Sequence, residues 1–335
     1  MQGGVVRLES LKQKIKALSG DTKFHNERQR IIRWLGSFIM SLFRLVLIVG
    51  ISYVILGPII GIGVSSFFSN EDQYSPVVYL IPLTPTLERY TVALRLLDYW
   101  NVLRNLLFYV VSLAAIQVVV CSMVGYGFAR FQFPFKKILF ACVIIIIVIP
   151  AHSVMLPLYM TFRNFDPLWL FSLTGDGPAN LLSTLTPMYL MTLFGVGLRS
   201  GLYIYIFNQF FRGLPKEIEE AAFVDGAGTF YTYVRVMIPN AMPSILTVTI
   251  FSLVWQYNDL FYANLFNIPN DWILPKKLNS LQATLAAVPY RITDPSISAL
   301  YVYAGIMMMI LPMILIYIFL QRKFIEGVER SGIVG

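Results

Sequence analysis

Charge is scarce in this chain. Asp, Glu, Lys and Arg make up 13% of its 335 residues, about half the roughly 25% of an ordinary soluble domain, which excludes a water-facing globule. Cysteine is nearly absent too: Cys121 and Cys142 both lie inside apolar runs, so there is no disulfide framework of the kind that staples small secreted domains. Of the histidines there are His25 and His152 alone. Neither stands in a His-Glu-x-x-His or Cys-x-x-Cys arrangement, and no metal site is expected. A Gly-x-Ser-x-Gly elbow is missing as well, and hydrolytic chemistry goes with it. No glycine is followed by lysine, so the chain lacks the Gly-x4-Gly-Lys-Ser/Thr loop whose amides and lysine cradle the phosphates of ATP. No catalytic residue and no bound cofactor are therefore expected, and an enzyme is disfavoured. His152, two residues after Pro150 in an apolar run, reads as a hydrogen-bonded structural group.

What the chain has in abundance is apolar surface: 57% of its residues are apolar and its mean hydropathy is +0.67. The net charge of +8 does not point to nucleic acid, because basic readers of nucleic acid carry Lys and Arg on a mostly polar surface. Crossing about 30 Å of hydrocarbon takes roughly 20 mainly apolar residues in a helix. Six such runs are found, near 38–62, 103–128, 138–162, 181–211, 241–267 and 300–320. The expected fold class is thus an all-α integral membrane protein with six transmembrane helices. The fourth run is irregular, since its 31 residues would form a helix of about 46 Å; Pro187 or the Gly195/Gly197 pair is expected to break or tilt it.

Lys and Arg set the orientation, because cytoplasmic segments retain positive charge. Residues 1–37, 129–137, 212–240 and the C-terminal tail together hold 17 basic and 9 acidic residues, against 7 and 8 on the other side. Both termini are therefore expected in the cytoplasm. The chain is organised as a basic N-terminal tail over 1–37, a membrane domain over 38–325 and a short cytoplasmic tail over 326–335. The first tail is too polar for a signal peptide, and the first run is expected to stay. Leu8, Leu11, Ile15 and Leu18 recur at helical spacing among lysines, which suits either a solvated basic tail or a short helix on the anionic inner leaflet.

The 28 residues or so from Arg212 to Pro239 read as two short helices and a turn. Pro215 suits a first helical position, Glu217, Glu219 and Glu220 favour the positive end of the helix dipole, and Gly226 suits a left-handed stop. The second helix is predicted from Thr229 to Met237, ending before Pro239. Ala221, Ala222 and Ala227 are small enough to let another backbone approach. So structured a loop suggests a docking element.

Glu220-Ala-Ala, then Asp225-Gly-Ala, then Tyr233, Val236, Ile238 and Pro239 resemble the EAA motif of ABC importer permeases, the binding-protein-dependent inner-membrane components. Pro85-Thr-Leu-Glu-Arg-Tyr, Tyr126-Gly-Phe-Ala-Arg-Phe, Pro157-Leu-Tyr, Trp255-x-x-Asn258-Asp259 and Gln321-Arg-Lys-Phe-Ile-Glu-Gly extend the likeness over roughly 80–335. It is most similar to the maltose-permease-like, carbohydrate-uptake branch, in which residues 1–37 and about 163–180 are longer than usual. The resemblance implies a type I ABC importer permease fold in a bacterial inner membrane. It implies as partners a second homologous permease, two ATP-binding subunits docking on 212–240 and holding the ATP-Mg themselves, and an extracytoplasmic sugar-binding protein that reaches outer loops including 268–299. Glu220, Ala221, Ala222, Asp225, Gly226, Ala227 and Pro239 are the implied ATPase-coupling residues.

A charge within a membrane span costs several kcal/mol unless paired or hydrated, so it points to function. Arg199 in the fourth run and Asp259 in the fifth are such charges, and Trp255, Gln256, Tyr257 and Asn258 beside Asp259 supply the amides and aromatic faces that grip sugars. These six are the substrate-path candidates; the alternative is that Arg199 and Asp259 pair and merely fix helix packing. The Pro-rich segment 268–299 is not a continuous helix by sequence, and 68–100 is expected to carry a short outer helix. The competing class, an ion-coupled secondary transporter, needs intramembrane acids and often shows internal repeats. Asp259 alone answers to the first, and no repeat is found.

Overall fold

The computed structural model describes the backbone of residues 3–167, 172–173, 175 and 177–332, and the side chains of that set except 3–32, 320 and 322–332. The chain divides after Gly63 into two compact units. The described residues of the first all belong to one helix, α1 (Gly3–Ser65), 63 residues long, which ends two residues past the division. The helix carries the backbone of residues 3–37 into the first apolar run without a break. The Leu8 to Leu18 face lies outside the described side chains. From Trp34 to Ile60 the large apolar side chains of α1 are exposed, the surface a lipid-facing helix presents.

The second unit opens with a capped turn. In α2 (Asn70–Tyr74) Ser69 and Asp72 form a reciprocal capping box. Asp72 is 3% exposed and accepts hydrogen bonds from the amides of Leu83 and Thr84, both at 3.1 Å, and from the Thr84 hydroxyl at 3.2 Å. Burial pushes its carboxyl up, but the hydrogen bonds from Thr84, Ser69 and Leu83 overcome that and hold it below the ordinary value of 3.8. α3 (Glu88–Leu96) follows. Its Arg89 is buried, bonded to the Tyr301 hydroxyl and to Asn70 Oδ1, each at 2.5 Å.

α4 (Tyr99–Arg130) is the longest helix of this unit that is described with its side chains throughout. α5 (Lys136–Val148) stops where Pro150 forces Ile149 into extended backbone (ψ 123°). A 3₁₀ turn (Ala151–Val154) and α6 (Met155–Arg163) continue at 105° to it. The third apolar run is therefore bent rather than straight. Within that turn the His152 ring packs 4.5 Å from Phe261, and no hydrogen bond to the imidazole is found among the described residues. The 163–180 insertion lies partly outside the described residues.

The fourth run is two helices. α7 (Thr186–Leu193) carries Pro187 in its first turn. It ends in a Schellman motif: Gly195, at φ +72°, donates to Thr192 O, and Val196 donates to Met191 O. α8 (Ser200–Gly213) restarts after Arg199, itself left-handed at φ +61°.

Next come α9 (Glu217–Val224) and α10 (Thr229–Thr232). A π turn (Tyr233–Met237) joins α10 to α11 (Ile238–Asn240). The helix thus does not end before Pro239 but runs through it. In the π turn the Ile238 amide reaches back to Tyr233 O, a wider ring that shifts the hydrogen-bond register just where proline has no N–H to give. The fifth run ends early, as α12 (Met242–Tyr257), and resumes as α13 (Phe261–Leu265). Beyond it 268–299 holds two short helices, α14 (Leu274–Asn279) and α15 (Leu281–Ala286). The last element is α16 (Pro295–Gly332), which begins before the sixth run and extends past it. Asp294 caps its first turn through the Ser296 amide at 2.8 Å and also accepts from the Tyr74 hydroxyl.

By length and apolarity three helices of the described residues suffice to cross a membrane, or up to five if each bent pair counts as one span. The difference from six runs lies in the breaks: hydropathy sums over a segment and does not register a left-handed residue within it.

α4 is central, packing against α7, α8 and α12. It approaches α8 closely at Gly125, where a Cβ would lie 2.6 Å from Phe207 Cβ and 3.0 Å from the Asn208 amide nitrogen, the close contact small residues permit between membrane helices. Two apolar cores result. One gathers Leu103, Leu106 and Leu113 with Met188, Met191, Tyr257 and Tyr301; the other gathers Cys121 and Tyr126 with Tyr203, Phe207, Met237 and Val248.

Gly125→Ala should therefore lower the thermal stability of the purified protein by about 1–3 kcal/mol, and an unchanged melting curve would show that the crossing has slack. Asp72→Ala should speed hydrogen exchange at the Leu83 and Thr84 amides. With the native carboxyl held low, protection there should persist above pH 3.8 and be lost as the pH falls below it; protection that instead declines between pH 6 and 5 would contradict the assignment.

Candidate functional site

The 212–240 loop is fastened to α4 by buried polar contacts. Glu219, on the inner face of α9, is 7% exposed. It pairs with Arg130, the last residue of α4, at 3.1 Å, both side chains being under a tenth exposed. The Tyr126 hydroxyl, one turn earlier on α4, donates to the same carboxylate. Arg130 also donates to Leu214 O at 2.9 Å, at the entry to the loop. From the second half of the loop Tyr233 packs its ring 5.0 Å from Tyr126, tilted by 36°, and bonds Ser122 through the hydroxyls at 2.7 Å. Three consecutive turns of α4, at Ser122, Tyr126 and Arg130, thus hold both loop helices.

The other face points outward. Gly226, at φ +84°, ends α9 in a Schellman motif, with Gly226 donating to Phe223 O and Ala227 to Ala222 O, both at 3.0 Å. Among the described residues nothing lies within 4 Å of a Cβ built at Gly226. Around it Val224 is 87%, Phe230 70% and Tyr231 60% exposed. Glu220, Ala221, Asp225 and Pro239 are exposed and Ala222 and Ala227 half-buried. Apolar side chains exposed together on a loop rimmed by charge mark a protein-binding surface.

A polar layer separates the two cores. On α4 Gln117 lies between Leu113 and Cys121; its amide donates to Leu198 O at 2.7 Å and Ser200 Oγ at 2.9 Å, and its oxygen accepts from Ser252 Oγ at 2.7 Å and, at 3.5 Å, from Gln256. α4, the α7–α8 break and α12 meet there. Beside the layer Arg199 places its guanidinium 4.3 Å over the Trp255 ring, a cation–π contact that leaves both residues exposed. Asp259 is buried; its Oδ1 accepts from the Tyr262 amide at 3.2 Å at the start of α13, and among the described residues Oδ2 has no hydrogen-bond partner. Arg199 and Asp259 form no ion pair among the described residues, though both lie within electrostatic range of the Tyr262 hydroxyl.

The six substrate-path residues therefore divide. Arg199 and Trp255 share an exposed surface. Gln256 joins the buried layer, Tyr257 is a core residue bonded to Met309 O at 2.8 Å, and Asn258 turns back to Val254 O at 2.9 Å.

Residues 121–328 match the family model of the binding-protein-dependent transport system inner membrane component. The chain belongs to this family. The permease is 28% identical over 283 residues to a probable ABC transporter permease protein of Pyrococcus horikoshii, covering 83% of this chain and 92% of that one. It is 25% identical over 289 residues to the arabinooligosaccharides transport system permease protein of Halalkalibacterium halodurans (85% and 93% covered). To the trehalose transport system permease protein of Mycobacterium tuberculosis it is 27% identical over 264 residues (76% and 85% covered). Its fold matches a chain of a bacterial ABC transporter involved in the import of the acidic polysaccharide alginate, with a TM-score of 0.68 at 21% identity, over 85% of this chain and 96% of that one. The all-α permease fold of ABC importers is thereby shown, in a multi-pass membrane protein. Among the described residues no group of three or more His, Cys, Asp or Glu is placed to hold a metal.

Sequence reasoning missed the fastening of the permease loop. Glu219 stood in plain view beside Glu220, but only the fold shows that it faces inward while Glu220 faces out. The signal for its partners was the segment Tyr126-Gly-Phe-Ala-Arg130: a tyrosine and an arginine four residues apart share one helix face.

Breaking a buried pair from one side strands the other charge, at about 3–5 kcal/mol, whereas removing both partners costs much less. Glu219→Gln should expose α9 to hydrogen exchange, and Arg130→Gln added to it should recover part of the loss. Additive damage in the double variant would rule the coupling out.

Proposed function

We propose that this permease is the translocation subunit of an ATP-driven importer that takes up a sugar or oligosaccharide delivered by an extracytoplasmic solute-binding protein. In this reading it pairs with a second, homologous permease. Two ATP-binding subunits dock on 212–240 and supply the hydrolysis, and the outer segment 268–299 meets the binding protein. The observation that carries the proposal is the loop itself, pinned on one face by Arg130 and Glu219 and open on the other around Gly226. A load applied to the open face passes through a buried ion pair into the central helix. The excess of 17 basic over 9 acidic residues at the segments on that side supports a cytoplasmic position for the loop and both termini.

Sugar as the cargo is supported by Arg199 and Trp255, which offer hydrogen-bond donors and an aromatic face together beside a polar layer, and by the transport named for two of the relatives. An ion-coupled mechanism finds no comparable support, since the chain belongs to a family of binding-protein-dependent transport components.

Gly226→Asp places a Cβ and a charge on a left-handed residue of the docking face. It should leave membrane insertion intact and cut binding-protein-dependent uptake by about tenfold or more; unchanged uptake would sink the docking role. Trp255→Ala should weaken uptake without reducing recovery of the assembled importer, and an effect on recovery alone would return Trp255 to a packing role.

A further inference from the structure

A second concavity opens at the loop end of the bundle, a cavity of about 860 Å³ between α4, α5 and α8. Five cations line it: Arg130, Lys136, Lys137, Arg212 and Lys216. No acidic side chain does so among the described residues. Arg130 is neutralised by Glu219, but Lys137, Arg212 and Lys216 form no ion pair within 4 Å among the described residues. Aromatic side chains line it as well, with Phe128 5.7 Å from Phe133 and 5.4 Å from Phe140, ring centre to ring centre. Phe135 stands at the rim, 73% exposed, on a residue held at φ +62°. That conformation is costly for a bulky side chain. From the cavity α5 leads away with Ile138, Leu139, Ile145 and Val148 all exposed.

Concentrated positive charge with no counter-charge requires an anion. An aromatic wall and a lipid-facing helix leading out of the same cavity require that the anion carry an apolar part, and a soluble phosphate would leave both unused. An acidic surface of a partner protein would meet the lysines but would not use the apolar track along α5. We propose that the cavity binds the headgroup phosphate of an anionic phospholipid, with Lys137, Arg212 and Lys216 around the phosphate, the Phe wall against the glycerol backbone and the acyl chains along α5. Only the leaflet depends on the orientation proposed above; the site does not.

The test uses the importer purified with its partner chains, in nanodiscs of phosphatidylcholine with about a third phosphatidylglycerol. The phosphatidylglycerol retained through delipidating washes is counted by native mass spectrometry. Each lysine or arginine near a membrane surface adds about fivefold to anionic-lipid binding, so Lys137→Gln with Arg212→Gln should lower retention by about twenty-five-fold. Phosphatidylcholine retention should not change, and millimolar inorganic phosphate at matched ionic strength should not displace the lipid. Equal retention by the double variant would overturn the site. Displacement by inorganic phosphate would make it a free-phosphate site, and retention by the permease that vanishes once the ATP-binding chains are present would give the cavity to a protein partner; either would also overturn the proposal. Failure of uptake in the Gly226→Asp importer bears on none of these outcomes, so the two readings fail separately.

Discussion

The pair between Arg130 and Glu219 is the contact on which the arrangement depends. Arg130 is the last residue of the central helix and Glu219 the buried residue of a short helix that makes few other contacts with the bundle. A short helix of eight residues is marginal alone in water, so its position must come from tertiary contacts. The ion pair, the Tyr126 hydroxyl and the Arg130 bond to Leu214 O supply them at one place. A buried pair of this kind contributes little net stability, but it fixes geometry: each partner left alone is costly, so the loop and the helix move together.

The polar layer around Gln117 plays a different part. It sits where the two apolar cores part, and the elements that meet the unbroken α4 there are interrupted or end nearby: α7 and α8 at Gly195 and Arg199, α12 at Tyr257. Broken helices at mid-depth are tolerated in membranes where the backbone is buried in protein or lines a cavity, and transport sites are built at such breaks. Gln117 satisfies Leu198 O directly, which is how the carbonyl freed by the break is paid for.

Much of this was legible in the sequence, and the losses have physical causes. The apolar runs located the helices, and the Gly226 stop and the Pro-rich interruption of 268–299 follow from backbone chemistry that acts within a few residues. The continuation through Pro239 did not, because it depends on a π turn whose wider hydrogen-bond ring the residues before a proline do not announce. The bend in the third run and the early end of the fifth were not legible, because hydropathy is insensitive to direction. Arg199 and Asp259 were legible as costly charges; that one stacks on Trp255 while the other caps α13 is decided by tertiary packing. Glu219 and Glu220 are chemically equivalent in sequence and face opposite ways in the fold.

The central claim is that a partner docks on the open face of the loop and acts through its pinned face. Replacing Phe230, 70% exposed, by a photoreactive phenylalanine in the assembled importer tests it most directly. The account predicts a cross-link to the ATP-binding chain whose yield changes when nucleotide is added. Cross-links to lipid alone, or a yield to that chain indifferent to nucleotide, would contradict it.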